Sequence, residues 1–548
     1  MFGETRLRVR WASVAAVACS LAAVGPAIAY VCHPDKPGTR TMSLRGSVAI
    51  EAMRGTHVTV TLRRAGGCQR VSWNVSMGRS HSASCTTSLA ARTVPGYRAS
   101  IRGGYVVVRD RGALVRRIWI GYSPLPLRAV VAANRVYVLT APAANRPARL
   151  LGFDVRTGMK RTDYPVPYSG RSLDVAGGVA IFSTTGGAGL YGLRLADGKI
   201  AFLGVERFRD NPQIERAGVV YSDNMYPRRA RAGISTLKFV PIGAVRDGLA
   251  KVGRTLRASG TIRSFAMDGP RVSLAVSGPG NACDRVMHWN IPWHYTSFIT
   301  QPSQREASCP NGRTRVARVS SLALGGLGSA WVLRGAGRSA LVRENSVACV
   351  ERVLVTGNVP LVSGDRALIA YVRRTSAGWE IGTAGWRMRH RIATSPVALR
   401  ALSVDGNRIA VLRADGRIEI RSRWGSLLGS VAAPGARSIA LSGGELTVLT
   451  ASRLDVYDRS GRLERSWRLP SGVRGPVDVH YGVAVVTRGT TVLGIRLSTG
   501  RTVALAHAPG SVRARIEGPG VAYRWNAGGY GYVGFVPLAK IEQRLGKL

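Results

Sequence analysis

Several motifs that would mark a known kind of catalytic or metal site are missing from the sequence. It has no Cys-x-x-Cys pair and no adjacent cysteines, and its eight histidines are scattered singly. The Gly-x-Ser-x-Gly, Walker and His-Glu-x-x-His motifs do not occur either. These absences argue against a redox or zinc-ribbon site, a nucleophile-elbow hydrolase, a P-loop nucleotide site and a zinc peptidase. We therefore predict no metal and no cofactor.

Acidic residues are also scarce. The chain has 30 Asp and Glu against 78 Lys and Arg, and only seven of the basic residues are lysines. A formal net charge of +48 attracts polyanions such as acidic glycans, cell-wall polymers and anionic lipid surfaces. The basic residues occur singly in nearly every repeat, which also fits an Arg-biased, solvated surface. The clustered footprint of a nucleic-acid-binding protein is not seen, and nucleic acid is disfavoured as a partner.

Only the N-terminal end contains a long apolar run. Three arginines precede the apolar stretch from Trp11 to Val24, and Ala27–Ala29 forms a small-x-small cleavage site. This pattern predicts a signal peptide at residues 1–29, a mature chain from Tyr30, and a secreted or extracytoplasmic protein. An uncleaved anchor is the alternative, although the run is shorter than the ~20 residues of a spanning helix. No later stretch is long and apolar enough to span a bilayer.

Six cysteines follow the predicted leader. An even number in an exported chain indicates disulfides, and six cysteines allow 15 connectivities. The simplest local pairings are Cys68–Cys85 and Cys283–Cys309. The remaining two are Cys32 and Cys349.

Short repeated units give the clearest indication of the fold. Three look-alike units lie between Ala398 and Leu505, and Val411, Val448 and Val485 hold equivalent places 37 residues apart. Each unit reads as alternating strands separated by turns marked by Gly or Asp. Four-stranded sheets repeated at this spacing are typical of a β-propeller.

The two halves of the chain correspond to each other. The unit that opens at Asp174 matches the unit that opens at Asp478, and Phe239 matches Phe535 at an offset of 296 residues. After each of these phenylalanines the apolar pattern becomes helical. We predict an all-β fold of two tandem β-propellers, built from about 12 four-stranded repeats, each half ending in a short helix.

The predicted domains are an N-terminal propeller of about five to six blades at residues 30–255 and a C-terminal propeller of about seven blades at residues 256–548. A six-plus-six division or one large ring fits the same repeat lengths. Each propeller is expected to close by pairing a terminal strand, because an open sheet edge invites aggregation.

The repeat ends suggest a family. The segments "FDVRTGMKR", "RLADGKIAF", "RLSTGRTVA" and "YDRSGRLERSW" resemble the Asp-x-x-Thr-Gly-Lys turn of quinoprotein-like propellers. The resemblance implies the architecture. A quinone-dependent dehydrogenase of that family would also show a vicinal cysteine pair and acidic calcium ligands, which this sequence lacks.

Candidate binding residues lie in loops that interrupt the repeats. The longest loop, from about Gly278 to Arg315, carries aromatic residues between two cysteines, and flat rings provide contact area for sugars or a protein partner. The same rings could instead cover the end of a blade. An arginine cluster and an aromatic segment follow equivalent strands of the two halves. The candidate residues are Trp289, Trp293 and Tyr295, then Arg228, Arg229 and Arg231, and finally Trp525 and Tyr530.

The sequence thus predicts an exported, non-enzymatic propeller that presents rim loops to an anionic polymer or a protein partner. One alternative is a secreted polysaccharide lyase or hydrolase with its site in a propeller funnel, and another is a structural spacer without a defined ligand. A cluster of His, Tyr, Arg and an acid at a funnel mouth would favour the enzyme. A featureless funnel beside an aromatic rim patch would favour binding.

Overall fold

The computed structural model consists almost entirely of antiparallel β-sheet. It describes residues 38–548 apart from 46, 65–66, 85–96, 122–125, 143–145, 168–171, 184–188, 206–211, 224–233, 253–254, 269–270, 278–283, 291–295, 299–317, 326–327, 336–337, 346–349, 366–367 and 386–388. The predicted signal peptide lies outside these residues. In the part of the chain that is described, no helix has both the length and the apolar character needed to cross a membrane.

The first half forms five sheets, each of which is one blade. One of the five has three strands among the described residues and the others have four. The strands are β1 (Arg40–Arg45), β2 (Ser47–Arg54), β3 (His57–Arg64), β4 (Gly67–Asn74), β5 (Arg79–Ser84), β6 (Tyr97–Arg102), β7 (Tyr105–Asp110), β8 (Ala113–Trp119), β9 (Pro126–Ala132), β10 (Arg135–Thr140), β11 (Ala148–Asp154), β12 (Lys160–Val166), β13 (Leu173–Ala176), β14 (Val179–Ser183), β15 (Gly189–Arg194), β16 (Ile200–Val205), β17 (Gln213–Ile214), β18 (Gly218–Asp223) and β19 (Ile234–Pro241).

These five sheets follow one another around an axis. First strands of neighbouring blades lie side by side at four places, with β6 beside β9, β9 beside β13, β13 beside β17 and β17 beside β2. The N-terminal strand closes the ring. β1 pairs with β19 and is the fourth strand of the blade that also contains β17, β18 and β19. This half is a five-bladed β-propeller.

The second half forms seven blades. Two of them share one long strand, β28, whose first part pairs with β27 and whose second part pairs with β29. The strands are β20 (Leu256–Ser259), β21 (Ile262–Asp268), β22 (Arg271–Val276), β23 (Arg285–Asn290), β24 (Thr296–Phe298), β25 (Arg318–Gly325), β26 (Gly328–Gly335), β27 (Arg338–Asn345), β28 (Val350–Asp365), β29 (Leu368–Thr375), β30 (Gly378–Ala384), β31 (Arg389–Ser395), β32 (Leu399–Asp405), β33 (Arg408–Arg413), β34 (Arg417–Ser422), β35 (Leu427–Ala432), β36 (Ser438–Ser442), β37 (Glu445–Leu449), β38 (Arg453–Tyr457), β39 (Leu463–Arg468), β40 (Val473–His480), β41 (Val483–Arg488), β42 (Thr491–Arg496), β43 (Thr502–His507), β44 (Arg513–Glu517), β45 (Gly520–Ala527) and β46 (Tyr530–Pro537).

The second ring closes in the same way as the first. Its N-terminal strand β20 pairs with β46, the third strand of the last blade, and β21 lies beside β44. Asn526 also spans the junction, because its Oδ1 accepts from the Ile262 N–H at 2.8 Å and its Nδ2 donates to the Ile262 carbonyl at 3.2 Å. In each ring the first strand of the half pairs with a strand of its last blade, so that the edge of that blade is not left unpaired.

Each half ends in a short helix, α1 (Ile242–Lys251) and α2 (Leu538–Leu545). Val245 and Leu249 of α1 are fully buried, as are Ile541 and Leu545 of α2. The four-residue spacing places each pair on one helix face, which packs on the last blades of its own ring.

The predicted fold class is confirmed. Among the described residues the sheets form two sets of five and seven blades, and the pairing of β1 with β19 and of β20 with β46 fits neither a six-plus-six division nor a single large ring. Whether residues 30–255 and 256–548 fold as independent domains stays a prediction.

A recurring contact joins neighbouring blades at the turn between the third and fourth strands. Gly500, with φ +72°, lies against the Trp467 ring of the preceding blade, where an added Cβ atom would overlap Cε3. The Trp467 Nε1–H donates to the Leu497 carbonyl at 3.1 Å. In the first propeller Gly198 lies against Tyr164 in the same way, and the Tyr164 hydroxyl donates to the Leu195 carbonyl at 3.2 Å. The glycine of the repeated turn is therefore required both by backbone conformation and by close approach.

Candidate functional site

The channel of the seven-bladed propeller forms a large concave site with charged side chains. It encloses a cavity of about 890 Å³ that is lined mainly by the first strands of the blades, and Pro142 of the first propeller also borders it. Pockets of this size in propellers and other folds are common ligand sites. Arginine side chains line the cavity near the beginning of these first strands, and carboxylates line it near their ends.

Three arginines lie at the beginning of first strands. Arg400, Arg437 and Arg513 line the cavity and are exposed. Arg474 holds the equivalent place in the blade between the last two and is also exposed. None of the four has a carboxylate within ion-pair distance among the residues that the structure describes. This end of the channel therefore carries uncompensated positive charge.

A β-bulge explains how an arginine can leave the sheet at this position. The pairing of β32 with β33 passes from Leu399 opposite Arg413 directly to Ala401 opposite Leu412, so that Arg400 is the extra residue. The same shift occurs around Arg263 in β21. A bulge re-aims the side chain of the extra residue. At Arg263 the charge is neutralised, because its Nε lies 3.0 Å from Asp284 Oδ1.

The carboxylates of the channel hold neighbouring blades together. Asp478 Oδ2 accepts from the Ile516 N–H at 2.9 Å. Asp365 Oδ2 accepts from the Gly406 N–H at 2.6 Å. Each bond joins a first-strand region to the next blade, so these acids serve the architecture of the ring.

The first propeller supports this structural interpretation. Asp174, which corresponds to Asp478 in sequence, accepts from the Ile214 N–H at 3.0 Å in the same arrangement. Burial raises the pKa of both Asp174 and Asp478 above the usual carboxyl value. Since the shifted pKa occurs in both halves, it follows from the shared contact between blades and does not single out a catalytic acid.

The residues beside this contact differ between the halves. After the aspartate, the first propeller continues with Ala176 and Gly177, whereas the second continues with His480 and Tyr481. Gly177 has φ +56° and Tyr481 has φ +50°, so a tyrosine occupies a left-handed turn position that its counterpart fills with glycine. Such a conformation costs roughly 1–3 kcal/mol and is found at functional sites more often than elsewhere.

These second-half residues form a compact cluster at the channel. The His480 and Tyr481 rings lie 4.1 Å apart in an edge-on arrangement. His480 Nδ1 is 3.9 Å from Glu517 Oε2, and Arg515 Nη1 is 3.8 Å from Asp478 Oδ1. The first propeller has Gln213 at the place of Arg515. An imidazole beside a carboxylate, with a guanidinium nearby, can transfer a proton and hold an anionic group.

Two of the predicted binding residues lie in the described part of the chain with their side chains. Trp525 is only 7% exposed and is stacked between Tyr523 and Tyr532, at ring distances of 5.5 and 5.3 Å. The prediction that Trp525 is exposed on a rim is therefore wrong, because its side chain belongs to the hydrophobic core of the last blade. Tyr530 is 37% exposed, and the Arg257 guanidinium lies 3.6 Å from its ring centre. Binding by Tyr530 stays a prediction.

The other predicted site residues cannot be placed. The backbone of Trp289 belongs to β23, but its side chain is not among those described. The residues outside the described part are Trp293, Tyr295, Arg228, Arg229, Arg231, Cys85, Cys283 and Cys309. Their roles in binding and in disulfides stay predictions. Cys68 precedes Gln69 in β4, and Gln69 lies opposite Ser84 of β5, the residue before Cys85 in sequence.

Sequence reasoning missed both ends of the channel. The 37-residue spacing that relates Val411, Val448 and Val485 also relates Arg400, Arg437 and Arg474, and this signal was available. The cluster around His480 could have been found from the comparison of the two halves, because Ala176-Gly177 and His480-Tyr481 stand at equivalent places. No group of three or more potential metal ligands occurs among the described residues.

Two solved structures are similar to part of this chain at low identity. A chain in the crystal structure of the mitotic checkpoint complex is 14% identical, covers 52% of this chain and 96% of that chain, and has a TM-score of 0.39. The β-propeller domain of Cps50 (Swd1) from Myceliophteria thermophila is 12% identical, covers 52% of this chain and 99% of that domain, and has a TM-score of 0.39. No protein-family model and no curated protein matches the sequence.

Likeness at this level does not extend to function. The generic repeat β-propeller is established by the sheets and their closure. The narrower resemblance to quinoprotein-like propellers is not confirmed and stays a resemblance.

Proposed function

We propose that this protein is a binding scaffold whose seven-bladed propeller holds an anionic polymer or an anionic segment of a partner protein at the arginine end of its channel. The observation that carries the proposal is the set Arg400, Arg437 and Arg513, which repeats from blade to blade and has no ion-pair partner among the described residues. We refer to these three residues as the arginine mouth. Guanidinium groups bind carboxylate, sulfate and phosphate oxygens through paired hydrogen bonds.

The electrostatics of the mouth favour an anion. Behind it, Arg524 donates to the Ile262 carbonyl at 2.7 Å and to the Arg263 carbonyl at 3.2 Å. Burial lowers the pKa of Arg524 to about 10, and the charge of Arg513 contributes to the same shift. A bound anion would relieve this accumulation of positive charge, whereas a neutral ligand would not.

Export is a further part of the proposal. It rests on the leader at residues 1–29 and on the even number of cysteines that follow it. A protein recovered outside the cytoplasm that begins at Tyr30 would support it, and a protein that stays in the cytoplasm with Met1 intact would contradict it.

The arginine mouth can be tested with matched variants. Replacing Arg400, Arg437 and Arg513 together with glutamine is expected to weaken retention of an acidic polysaccharide such as polygalacturonate by about tenfold or more, because charge-assisted hydrogen bonds are lost. Binding is measured by titration calorimetry at physiological salt, with dextran as the neutral polymer.

The control changes the net charge equally at another place. Arg462, Arg468 and Arg501 are exposed on the outer strands and turns of the same propeller, and their joint replacement with glutamine is expected to alter affinity less than about twofold. Equal losses in the two triple variants would reduce the binding to bulk charge and refute the proposed site.

A second candidate function is supported by the cluster of His480, Tyr481, Arg515 and Glu517. This is the combination of His, Tyr, Arg and an acid that an enzyme would be expected to show. In a β-elimination, His480 would accept the C5 proton of a uronic acid residue that Arg515 holds by its carboxylate. The C5 electron pair would form the C4–C5 double bond as the C4–O bond breaks, and Tyr481 would protonate the leaving oxygen.

The enzymatic candidate has a direct readout. Acidic polysaccharides incubated with the protein are expected to yield unsaturated ends, and His480→Gln is expected to abolish them while polymer binding at the arginine mouth persists. Polymer that stays intact in the presence of the unaltered protein would rule this reaction out and leave binding alone.

A further inference from the structure

The second blade of the first propeller carries an exposed pair of aromatic rings. Tyr105 is 44% exposed and Trp119 is 51% exposed, and their ring centres are 4.6 Å apart with a tilt of 53°. Neighbouring exposed rings form a continuous apolar patch, and such patches mark interaction sites more often than isolated exposed residues do. None of the functional residues discussed above belongs to this blade.

The strand register arranges the two rings in a row with an arginine. Arg102 lies directly opposite Tyr105, and Tyr105 lies directly opposite Trp119. Residues opposite one another in antiparallel strands share a face of the sheet. Because neighbouring strands are about 4.8 Å apart, the row spans about 10 Å across β6, β7 and β8. We call Arg102, Tyr105 and Trp119 the aromatic row.

A second arginine lies on the same face. The next row along the strands consists of Ser100, Val107 and Arg117, paired in the same register. Arg102 and Arg117 are exposed and have no ion-pair partner among the described residues. The opposite face of this blade is apolar and packs on the third blade through Val106 and Ile118. On the second face Val107 is buried, whereas Arg102, Tyr105, Arg117 and Trp119 are exposed.

The Trp119 ring is held in place by the backbone. It lies against Gly104, where an added Cβ atom would overlap Cζ3 of the indole. The Gly104 carbonyl accepts from the N–H groups of Ile120 at 2.9 Å and Gly121 at 3.2 Å. A ring supported in this way loses little conformational entropy when a ligand stacks on it.

We propose that the aromatic row binds an acidic oligosaccharide, with pyranose rings stacked on Trp119 and Tyr105 and uronate carboxylates held by Arg102 and Arg117. The width of the row matches about two sugar residues, and the charge of the face complements carboxylates at the ring edges. This site is on the other propeller and does not depend on the arginine mouth.

The test uses full-length protein and short oligogalacturonates, with affinity measured by calorimetry. Trp119→Ala is expected to weaken binding about tenfold, and Trp119→Phe is expected to retain most of it, because a flat ring remains. Joint replacement of Arg102 and Arg117 with glutamine is expected to lower affinity for the acid form about tenfold, but to leave binding of the methyl-esterified oligomer unchanged.

The matched control is Trp424→Ala. Trp424 is 73% exposed on the seven-bladed propeller, and the Arg423 guanidinium lies 4.6 Å from its ring centre. Its removal is expected to leave oligogalacturonate affinity unchanged. Thermal unfolding of each variant separates loss of the site from loss of the fold.

Two results would overturn the proposal. Equal weakening by Trp119→Ala and Trp424→Ala would show that any exposed indole suffices. Binding of poly-glutamate that is as strong as that of oligogalacturonate, and as sensitive to Trp119→Ala, would show that the occupant is an acidic peptide. The triple glutamine variant of the arginine mouth keeps the aromatic row intact, so failure of one site is distinguishable from failure of the other.

Discussion

Replacing Glu542 with alanine is expected to lower the free energy of unfolding by about 2–3 kcal/mol, because a buried guanidinium loses one of its two carboxylate partners and the two charge-assisted hydrogen bonds to it. Glu542 lies on α2 of the second propeller, and both of its carboxylate oxygens accept from Arg149 of the first, at 2.7 and 3.1 Å. The two side chains are only 9% and 10% exposed. Asp163 of β12 also pairs with Arg149, and Lys547 pairs with Asp163. Urea denaturation of the full chain measures the change.

The matched controls separate charge from packing. Replacing Arg149 with methionine and Glu542 with leucine together is expected to restore most of the lost stability, since no buried charge is then left unpaired. Lys540, next to the pair on α2, is expected to tolerate alanine with a change under about 0.5 kcal/mol. A loss below about 1 kcal/mol for Glu542→Ala would show that the charges are solvated and that the contact between the propellers does not depend on them.

The same cluster makes the contact sensitive to acid. Burial alone would raise the pKa of Asp163, but its contacts with Lys547, Arg149 and Lys160 outweigh burial, and the pKa lies below its ordinary value of 3.8. Because the folded-state pKa is depressed, the stabilisation is complete above the unfolded-state value and is lost as the pH falls through the folded-state value. The loss of stability caused by Glu542→Ala is therefore measured near neutral pH, where the stabilisation by the Asp163 carboxylate is fully present.

Replacing Gly500 with alanine is expected to destabilise the second propeller by about 3 kcal/mol. About 1 kcal/mol or more comes from the left-handed backbone at φ +72°, and the rest comes from overlap of the new Cβ with the Trp467 ring. In the Trp467→Ala background the overlap disappears, and the same substitution is expected to cost only about 1 kcal/mol. Thermal and urea unfolding are measured for the unaltered protein, the two single variants Gly500→Ala and Trp467→Ala, and the double variant, which together form a double-mutant cycle.

A glycine at an open turn provides the comparison. Gly489 also has a positive φ, of +58°, but an added Cβ would have no neighbour within 4 Å. Gly489→Ala is expected to cost about 1 kcal/mol in either background. If Gly500→Ala costs the same with and without Trp467, the contact between turn and ring contributes nothing to stability.

The fold could be predicted because propeller repeats are local in sequence. Val411, Val448 and Val485 recur at a constant spacing since each blade uses the same four strands and turns. The closing strands were expected for the same reason, because a ring of sheets has an unpaired edge at each end of the chain. The blade counts of five and seven became clear only from the pairing of β1 with β19 and of β20 with β46.

The candidate site could not be predicted in the same way. Arg400 leaves the ladder through a bulge, and a one-residue irregularity changes which face a side chain takes without changing the composition of the strand. Trp525 is buried although the sequence analysis predicts that it is exposed. It lies on the same face of its strand as buried Val521, and opposite Tyr532. Its loop-like sequence context suggested exposure, but the strand continues through it to Ala527.

The order in which the two rings can close follows from where their closing strands lie. During synthesis the first ring can close once β19 is available to pair with β1, whereas β20 must stay unpaired until β46, the last strand of the second ring, has left the ribosome. The first propeller can therefore mature early, and the second is assembled while its edge is still exposed to chaperones and proteases. Since Glu542 follows β46 in the chain, its bond to Arg149 forms only after all the described strands of both rings have been synthesised.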